Sequence, residues 1–230
     1  MRKLTIILFT FLMIGCAKKE LKIPTLAEKG IQELHNHSQV WLFFEVKNND
    51  TVASVNRKNT ISTTHWIYNI DKRLPLKAII PSILKLQDKH ANSMHSEKGM
   101  LDYFSYSDTI SKRLSFLEFD GVTFKTIGVL PKNFMEENAF KNPNYNNFKL
   151  IFNRTKVQMD TIETYQANFK NKLAALLKLT DEGKQTMLHL NFNQNLLYQD
   201  YLFYRTIIHN LSNENILVNR TEVIFNEYKD

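Results

Sequence analysis

The first sixteen residues constrain this chain most, because they decide the compartment in which everything after them must fold. Arg2 and Lys3 form a short basic head, an apolar run follows, and Gly15-Cys16 closes the segment. The apolar run is well short of the ~20 residues that a helix needs to cross a bilayer. A basic start, a short apolar stretch and a small residue at the end are typical of an export signal that is removed from the mature chain.

This segment resembles a bacterial lipoprotein signal peptide, with Leu12 and Met13 upstream of the small residue and the cysteine. The resemblance implies cleavage after Gly15 and lipidation of Cys16, for example with palmitate, as the first residue of the mature protein. It also implies a membrane-anchored protein of the cell envelope. The alternative is a secretory signal or a short membrane anchor with an incidental cysteine.

The rest of the chain, residues 16–230, is long enough for one elongated domain or for two related lobes. Its composition supports a packed fold, because 43% of the whole chain is hydrophobic and 12% is aromatic. Cys16 is the only cysteine. No disulfide can form within the chain, so the stability of an exported protein of this kind must come from its hydrophobic core.

The charge of the protein is mildly basic. The formal net charge is +7, and loss of Arg2 and Lys3 with the signal would leave +5. No block of five or six consecutive basic residues is present, as a nucleic-acid-binding arm would show. Anionic lipid headgroups, cell-wall polymer or an acidic protein face are therefore better candidates for partners than nucleic acid, although the excess charge could also serve solubility alone.

Hydrophobic periodicity divides the mature chain into two α/β units. A polar, Pro- and Gly-containing stretch, residues 16–34, is predicted to be a lipidated tether, and a second polar stretch, residues 131–147, a connector. The first unit, 35–130, should contain strands over 39–46, 51–55 and 63–70, a helix from about 76, a polar loop over 88–100 and further extended segments. The second unit, 148–230, should contain strands over 148–153 and 187–192, helices over 161–179 and 196–208, and two short strands over 216–218 and 222–225.

The two units share a weak internal repeat, for which duplication and coincidence are both open explanations. The segment Tyr68–Leu74 (YNIDKRL) aligns with Leu190–Leu196 (LNFNQNL), and in both a strand passes through a short polar turn into an apolar helix. Asp71 and Asn193 should either hydrogen-bond the turn or cap the helix. The predicted fold class is α/β (α+β), built from repeated strand-turn-helix-strand units, with the inward faces of the central strands supplied by Trp66, Tyr68, Ile70, Leu188, Leu190 and Phe192.

This repeated arrangement around Asn69 and Asn191 resembles the periplasmic domain of the ExbD/TolR family, most closely over residues 188–225. The resemblance implies the fold of those domains and binding to cell wall or envelope proteins. Members of the family carry an N-terminal transmembrane helix with an acidic residue, through which they couple proton-driven motors to the outer envelope. The only hydrophobic segment here contains no Asp or Glu, so the resemblance carries over the fold and the binding habit but not a motor role.

Histidines provide the main candidates for chemistry. His35 and His37 would lie on one side of an extended segment, within reach of His65 or Asp50 as a third metal ligand. The chain has no H-E-x-x-H helix motif, no cysteine ligand set, no G-x-S-x-G and only six glycines. We therefore expect neither an enzyme nor a resident cofactor, and a hydrolase or metal-binding protein using His35 and His37 is an alternative.

Three Asp-Thr-aliphatic triplets resemble the acceptor pattern for O-linked glycans on exported proteins of Bacteroidota. Their threonines are Thr51, Thr109 and Thr161. The competing explanation is structural, because Thr51 could begin a strand and the aspartate before Thr161 could cap a helix.

The resulting functional hypothesis is a non-enzymatic lipoprotein that binds another envelope component, either cell wall or envelope protein. An assembly or scaffold subunit is a further alternative.

The residues after Cys16 bear on the membrane in which the protein is anchored. They are Ala17-Lys18-Lys19 and include no aspartate of the kind that retains lipoproteins at the inner membrane of enteric bacteria. We therefore expect the protein at the outer membrane, facing the periplasm.

Overall fold

The computed structural model describes residues 19–92, 99–131, 143–179 and 183–228. Within them the chain forms two mixed β-sheets and three helices, which confirms the predicted α/β class and its two lobes. The signal segment 1–15, Cys16 and most of the connector lie outside the described residues. No helix in the described part of the chain is long and apolar enough to span a membrane.

The first lobe is one sheet with one helix. The elements are β1 (Thr25–Leu26), β2 (His37–Lys47), β3 (Asp50–Asn56), β4 (His65–Ile70), α1 (Leu76–Ala91), β5 (Asp102–Asp108) and β6 (Arg113–Glu118). The parallel strands β5, β4 and β2 lie side by side, β3 forms a hairpin with β2, β6 forms a hairpin with β5, and β1 runs along the end of β5.

The second lobe repeats this plan with an added helix. The elements are β7 (Thr123–Leu130), β8 (Asn146–Phe152), β9 (Lys156–Met159), β10 (Ile162–Tyr165), α2 (Gln166–Leu177), β11 (Thr186–Asn193), α3 (Tyr198–Leu211), β12 (Ile216–Val218) and β13 (Thr221–Tyr228). The sheet of this lobe has the order β10-β9-β8-β11-β13-β7, and β12 pairs with the start of β11.

The two aligned turns meet each other in the folded protein. The Tyr198 amide donates to the Leu74 carbonyl over 2.8 Å, and the Leu76 amide donates to the Leu196 carbonyl over 3.0 Å. Each turn thus accepts, through its carbonyl, a hydrogen bond from the amide that opens the helix after the other turn. This reciprocity places the repeated segments on either side of a local two-fold relation, at the point where α1 and α3 begin.

The side chains of the repeat also play matched roles. The Asp71 Oδ1 atom accepts from the Arg73 amide, and the Asn193 Oδ1 atom accepts from the Asn195 amide, so both side chains close the turn. Neither α1 nor α3 has a side-chain cap. Of the two roles predicted for these residues, the structure therefore shows the turn and not the cap.

One hydrophobic core joins the lobes. Tyr201 of α3 contacts Phe104 of the first sheet and Phe192 of the second, with ring centroids 6.1 and 4.9 Å apart. The predicted inward faces are confirmed, because Trp66, Tyr68, Ile70, Leu188, Leu190 and Phe192 are all at most 1% exposed within this core.

The predicted tether differs most from the structure. From Lys19 onward the segment packs on the first lobe: β1 pairs with β5, Leu26 is buried, and Ile31 bonds Phe116 of β6 through both backbone groups. A polar composition suggested a free linker, but backbone pairing needs no apolar side chains. The tether can extend only over the residues before Lys19.

Boundaries elsewhere also shift. The first unit was expected to extend to residue 130, yet β7 pairs with β13 in the second sheet. The strand expected over 148–153 begins at Asn146, and the helix expected over 161–179 divides into β10 and α2. The expected loop over 88–100 begins later, because α1 continues to Ala91 with Pro81 inside it. The placement of β7 differs because strand partners are chosen by long-range pairing and not by local periodicity.

Candidate functional site

The histidines proposed as metal ligands are not assembled into a site. His35 and His37 are exposed, and His37 Nδ1 lies 3.0 Å from the Leu34 carbonyl oxygen. His65 lies opposite His37 in the β2–β4 register, but its Nδ1 accepts from the Leu101 amide. Across the described ranges, no group of three His, Cys, Asp or Glu side chains could hold a metal ion.

The three candidate glycosylation threonines lie at the turns of three different hairpins. Thr51 follows the β2–β3 turn, Thr109 follows β5, and Thr161 stands between β9 and β10. Thr109 and Thr161 are exposed and Thr51 is half-buried. All three sites stay predictions.

The aspartates before these threonines accept hydrogen bonds from backbone amides. Asp50 Oδ1 accepts from Thr51 and Asp108 Oδ1 from Ile110, within their own turns, while Asp160 Oδ1 accepts from Lys149 of β8. The Asp-Thr pattern therefore has a structural role in these turns, whether or not the threonines carry glycans.

The candidate binding site is a cleft at the point where the chain passes from the first sheet to the second. It has a volume of about 580 Å³. The end of α1, the first residue of β5 and the turn between β6 and β7 form its walls, with the lining residues Gln87, Asp88, His90, Asn92, Asp102 and Asp120 among them.

A buried histidine–aspartate pair forms the floor of this cleft. His90 Nδ1 lies 2.8 Å from Asp102 Oδ1, and His90 Nε2 lies 3.0 Å from the Thr64 carbonyl oxygen. The imidazole also stacks on Trp66, with the rings 4.2 Å apart and nearly parallel. Because a carbonyl oxygen can only accept, Nε2 carries a proton. Both ring nitrogens are thus engaged within the protein.

Asp120 stands at the rim of the cleft. Burial and the nearby Asp102 carboxylate raise its pKa, while His90 and Arg220 act in the opposite direction. The lining is acidic, since Asp88, Asp102 and Asp120 all contribute carboxylates. A carboxylate-lined cleft favours a partner that presents an amino or guanidinium group.

The arrangement is suited to binding. A general base needs a free lone pair within reach of its substrate, and His90 has neither nitrogen free. The cleft is preformed, and stacking and hydrogen bonds hold its polar floor in one geometry.

Sequence reasoning missed this cleft because His90 was assigned to a polar loop. The signal that could have found it is the helical stripe of α1, in which the buried residues Ile79, Ile83 and Leu86 are followed at helical spacing by His90. The pairing with Asp102 could not be read from the sequence, because Asp102 belongs to a separate element, β5, and only the fold brings that strand next to the end of α1.

Two further histidines, His189 and His65, are part of the sheets. His189 is buried, with Nε2 at 2.9 Å from Asn147 Oδ1 and Nδ1 at 3.2 Å from Asn219 Nδ2. Burial lowers the pKa of His189 to about 4. His65 is half-buried and lies edge-on to Tyr103.

Comparison of the chain with protein-family models, with curated proteins and with solved structures found no match.

Proposed function

We propose that this protein is a membrane-anchored envelope lipoprotein that binds another envelope component and catalyses no reaction. The signal-like segment ending at Cys16 supports the anchor. The observation that carries the binding role is the preformed acidic cleft, whose histidine is fully engaged in structural contacts. The outer membrane, with the fold facing the periplasm, is the proposed location.

The partner of the cleft is a cell-wall peptide or an envelope protein that presents a positively charged group. Asp88 and Asp120 are exposed at the cleft and can pair with such a group, while Asp102 is held by His90. The ExbD/TolR resemblance supports the same class of partner. No geometry favours the hydrolase or metal alternative at His35 and His37.

Site-specific photo-crosslinking in intact cells tests the binding role. A photoreactive residue at Asn92, which is exposed in the cleft, should form a discrete adduct with cell wall or an envelope protein. The same residue at Lys178, exposed at the end of α2, is the matched control and should form none. Asp120→Lys should reduce the Asn92 adduct several-fold.

The outcomes separate the hypotheses. Equal adducts from Asn92 and Lys178 would contradict the assignment of the cleft. A stable stoichiometric complex that survives Asp120→Lys would instead support an assembly or scaffold subunit that uses another surface.

Substitution of the cysteine tests the anchor. Cys16→Ser should abolish incorporation of labelled palmitate and leave the protein unprocessed or soluble. A variant that still labels and fractionates like the wild type would eliminate the lipoprotein proposal.

Protease added to intact cells tests the proposed location. It should leave the wild-type protein intact, whereas protease after outer-membrane permeabilisation should degrade it. Because residues 19–34 pack on the fold, early cleavage is expected outside them. Rapid cleavage in intact cells would place the protein on the cell exterior.

A further inference from the structure

The structure fixes where the chain leaves the fold toward its N-terminus. Lys19 Nζ forms an ion pair with Glu45 of β2 and donates to Ser54 Oγ of β3 over 2.8 Å. It also lies 5.9 Å from the centre of the Phe43 ring. Cys16 precedes Lys19 by three residues, which span at most ~11 Å when extended. A lipid on Cys16 would therefore hold this side of the first lobe at the membrane surface.

A basic cleft lies on the same side. It has a volume of about 650 Å³ and runs along the edge strand β3, and its lining includes four cations: Lys19, Arg57, Lys58 and Lys89. Arg57, Lys58 and Lys89 are exposed and form no ion pair with any described residue. Among the residues that the structure describes, the one carboxylate paired with these cations is Glu45, on Lys19. The cleft thus presents an uncompensated positive charge.

Large apolar side chains are exposed around this cleft. Val55 lines it and is 39% exposed, and Ile61, next to the lining residue Thr60, is 58% exposed. Cationic side chains interspersed with exposed aliphatic ones are typical of surfaces that lie in the headgroup region of a membrane.

We propose that the headgroups of anionic phospholipids occupy this basic cleft, so that the β3 side of the first lobe lies on the membrane that anchors Cys16. Arg57 and Lys58 would donate to the lipid phosphate, and Ile61 and Val55 would contact the boundary between headgroups and acyl chains. The inference rests on the proposed anchor at Cys16. Two observations support this occupant: the short span between Cys16 and Lys19, and the charge complementarity of the cleft.

A fluorescent reporter on the lipidated full-length protein tests the proposal. Cys16 is the only cysteine and its thiol is blocked when lipidated, so Ile61→Cys supplies a single free thiol for an environment-sensitive probe. The labelled protein is reconstituted on vesicles of phosphatidylcholine alone or with about 30% phosphatidylglycerol. The probe should brighten several-fold and shift to shorter wavelength on the anionic vesicles only.

Matched charge reversals decide whether the cleft is responsible. Arg57→Glu/Lys58→Glu should reduce the response to the level seen on phosphatidylcholine. Arg154→Glu/Lys178→Glu changes the net charge equally at exposed positions of the second lobe and should leave the response intact. A probe that does not respond to phosphatidylglycerol, or an equal loss in both double variants, would overturn the proposal.

Two controls keep the outcomes distinct. Failure of the anchor itself would appear as protein that does not float with phosphatidylcholine vesicles, whereas failure of this inference would leave flotation normal and the probe unchanged. An equal response to a soluble polyanion added to phosphatidylcholine vesicles would assign the cleft to that class of ligand and overturn the lipid assignment.

Discussion

The two lobes begin their main helices in the same way but fill the positions around them differently. Asn69 and Asn191 are both buried in the central strand, and each donates to a carbonyl of the neighbouring strand, that of Val40 or Leu150. Those two carbonyls hold equivalent places, since Val40 lies opposite Tyr68 and Leu150 lies opposite Leu190.

The contrast lies where the helix packs on the sheet. By the alignment and the strand registers, Ile83 and Phe104 of the first lobe correspond to Arg205 and Glu222 of the second. Ile83 and Phe104 are fully buried and apolar. Arg205 and Glu222 are as deeply placed but charged, with Arg205 Nε 2.9 Å from Glu222 Oε1.

This difference shows which features of the repeat are common to both lobes and which vary between them. The backbone bonds and the turn side chains are common to both lobes, whereas the interior beneath them accepts either an apolar pair or an ion pair. A buried ion pair adds little net stability over well-packed apolar residues, but it is costly to break. The comparison therefore predicts that exchanging both partners is tolerated and that removing one is not.

Removing one partner should give the largest effect. Glu222 accepts from the Tyr201 hydroxyl over 2.9 Å as well as pairing with Arg205, and burial raises its pKa against the opposing effect of Arg205. Glu222→Gln would leave the Arg205 cation buried without a counterion. We expect the free energy of unfolding, measured in urea, to fall by about 3 to 5 kcal/mol.

The double substitution Arg205→Met/Glu222→Leu, which makes the second lobe resemble the first, is the control and should restore most of that stability. A loss below ~1 kcal/mol in Glu222→Gln would show that the pair is not needed.

The second prediction concerns His189, which stands where the first lobe has the buried Ile67. Because burial lowers its pKa to about 4, the unfolded chain binds the proton more readily and stability must fall as pH decreases from ~6.5 toward 4. We expect the wild type to lose about 1 kcal/mol from this group between pH 7 and pH 5.5. Urea unfolding of His189→Gln, which retains a donor and an acceptor, should lack this decrement. An identical pH dependence in both proteins would show that His189 is not the source of the stability loss at low pH.

The third prediction concerns the turns themselves. Burial raises the pKa of Asp71, but hydrogen bonds from Arg73 and from the Lys22 amide outweigh it, so the net pKa is lowered. The stabilisation is present above the ordinary carboxyl range and is lost as pH falls through the lowered pKa. Asp71→Asn keeps the turn but loses the ion pair, and should cost about 1 to 2 kcal/mol at pH 7 in urea unfolding.

The reverse substitution, Asn193→Asp, is the matched test of that turn. It should bring no gain, because Asn195 stands where the first lobe has Arg73. A stabilised Asn193→Asp variant would mean that the arginine is not what distinguishes the two turns.

The smallest expected effect concerns how the N-terminal segment joins the lobes. Its backbone pairs with strands of the first lobe, and both backbone groups of Thr25 also bond the Gln199 side chain of α3. Glu28 adds a second contact to that lobe through Lys170 and Asn210. Glu28→Gln removes this ion pair and should lower stability by no more than ~1 kcal/mol. Backbone hydrogen exchange of Leu26 in β1 should remain protected in the variant. Loss of protection there would show that the Glu28 contacts with the second lobe, and not β1 pairing, hold the segment.

The sequence by itself determined the local parts of this protein. Alternation of apolar residues identifies the central strands through Trp66 and Leu190, and the Asn-x-Asp/Asn pattern identifies the turns, because these features depend on side chains within one element. Only the tertiary structure decided that residues 19–34 pack on the fold, that β7 joins the second sheet and that His90 meets Asp102. Each of these contacts joins segments that local periodicity treats as separate. Pairing between distant backbone and polar groups is selected by the whole fold, and a buried polar group must find its partner wherever the chain supplies one.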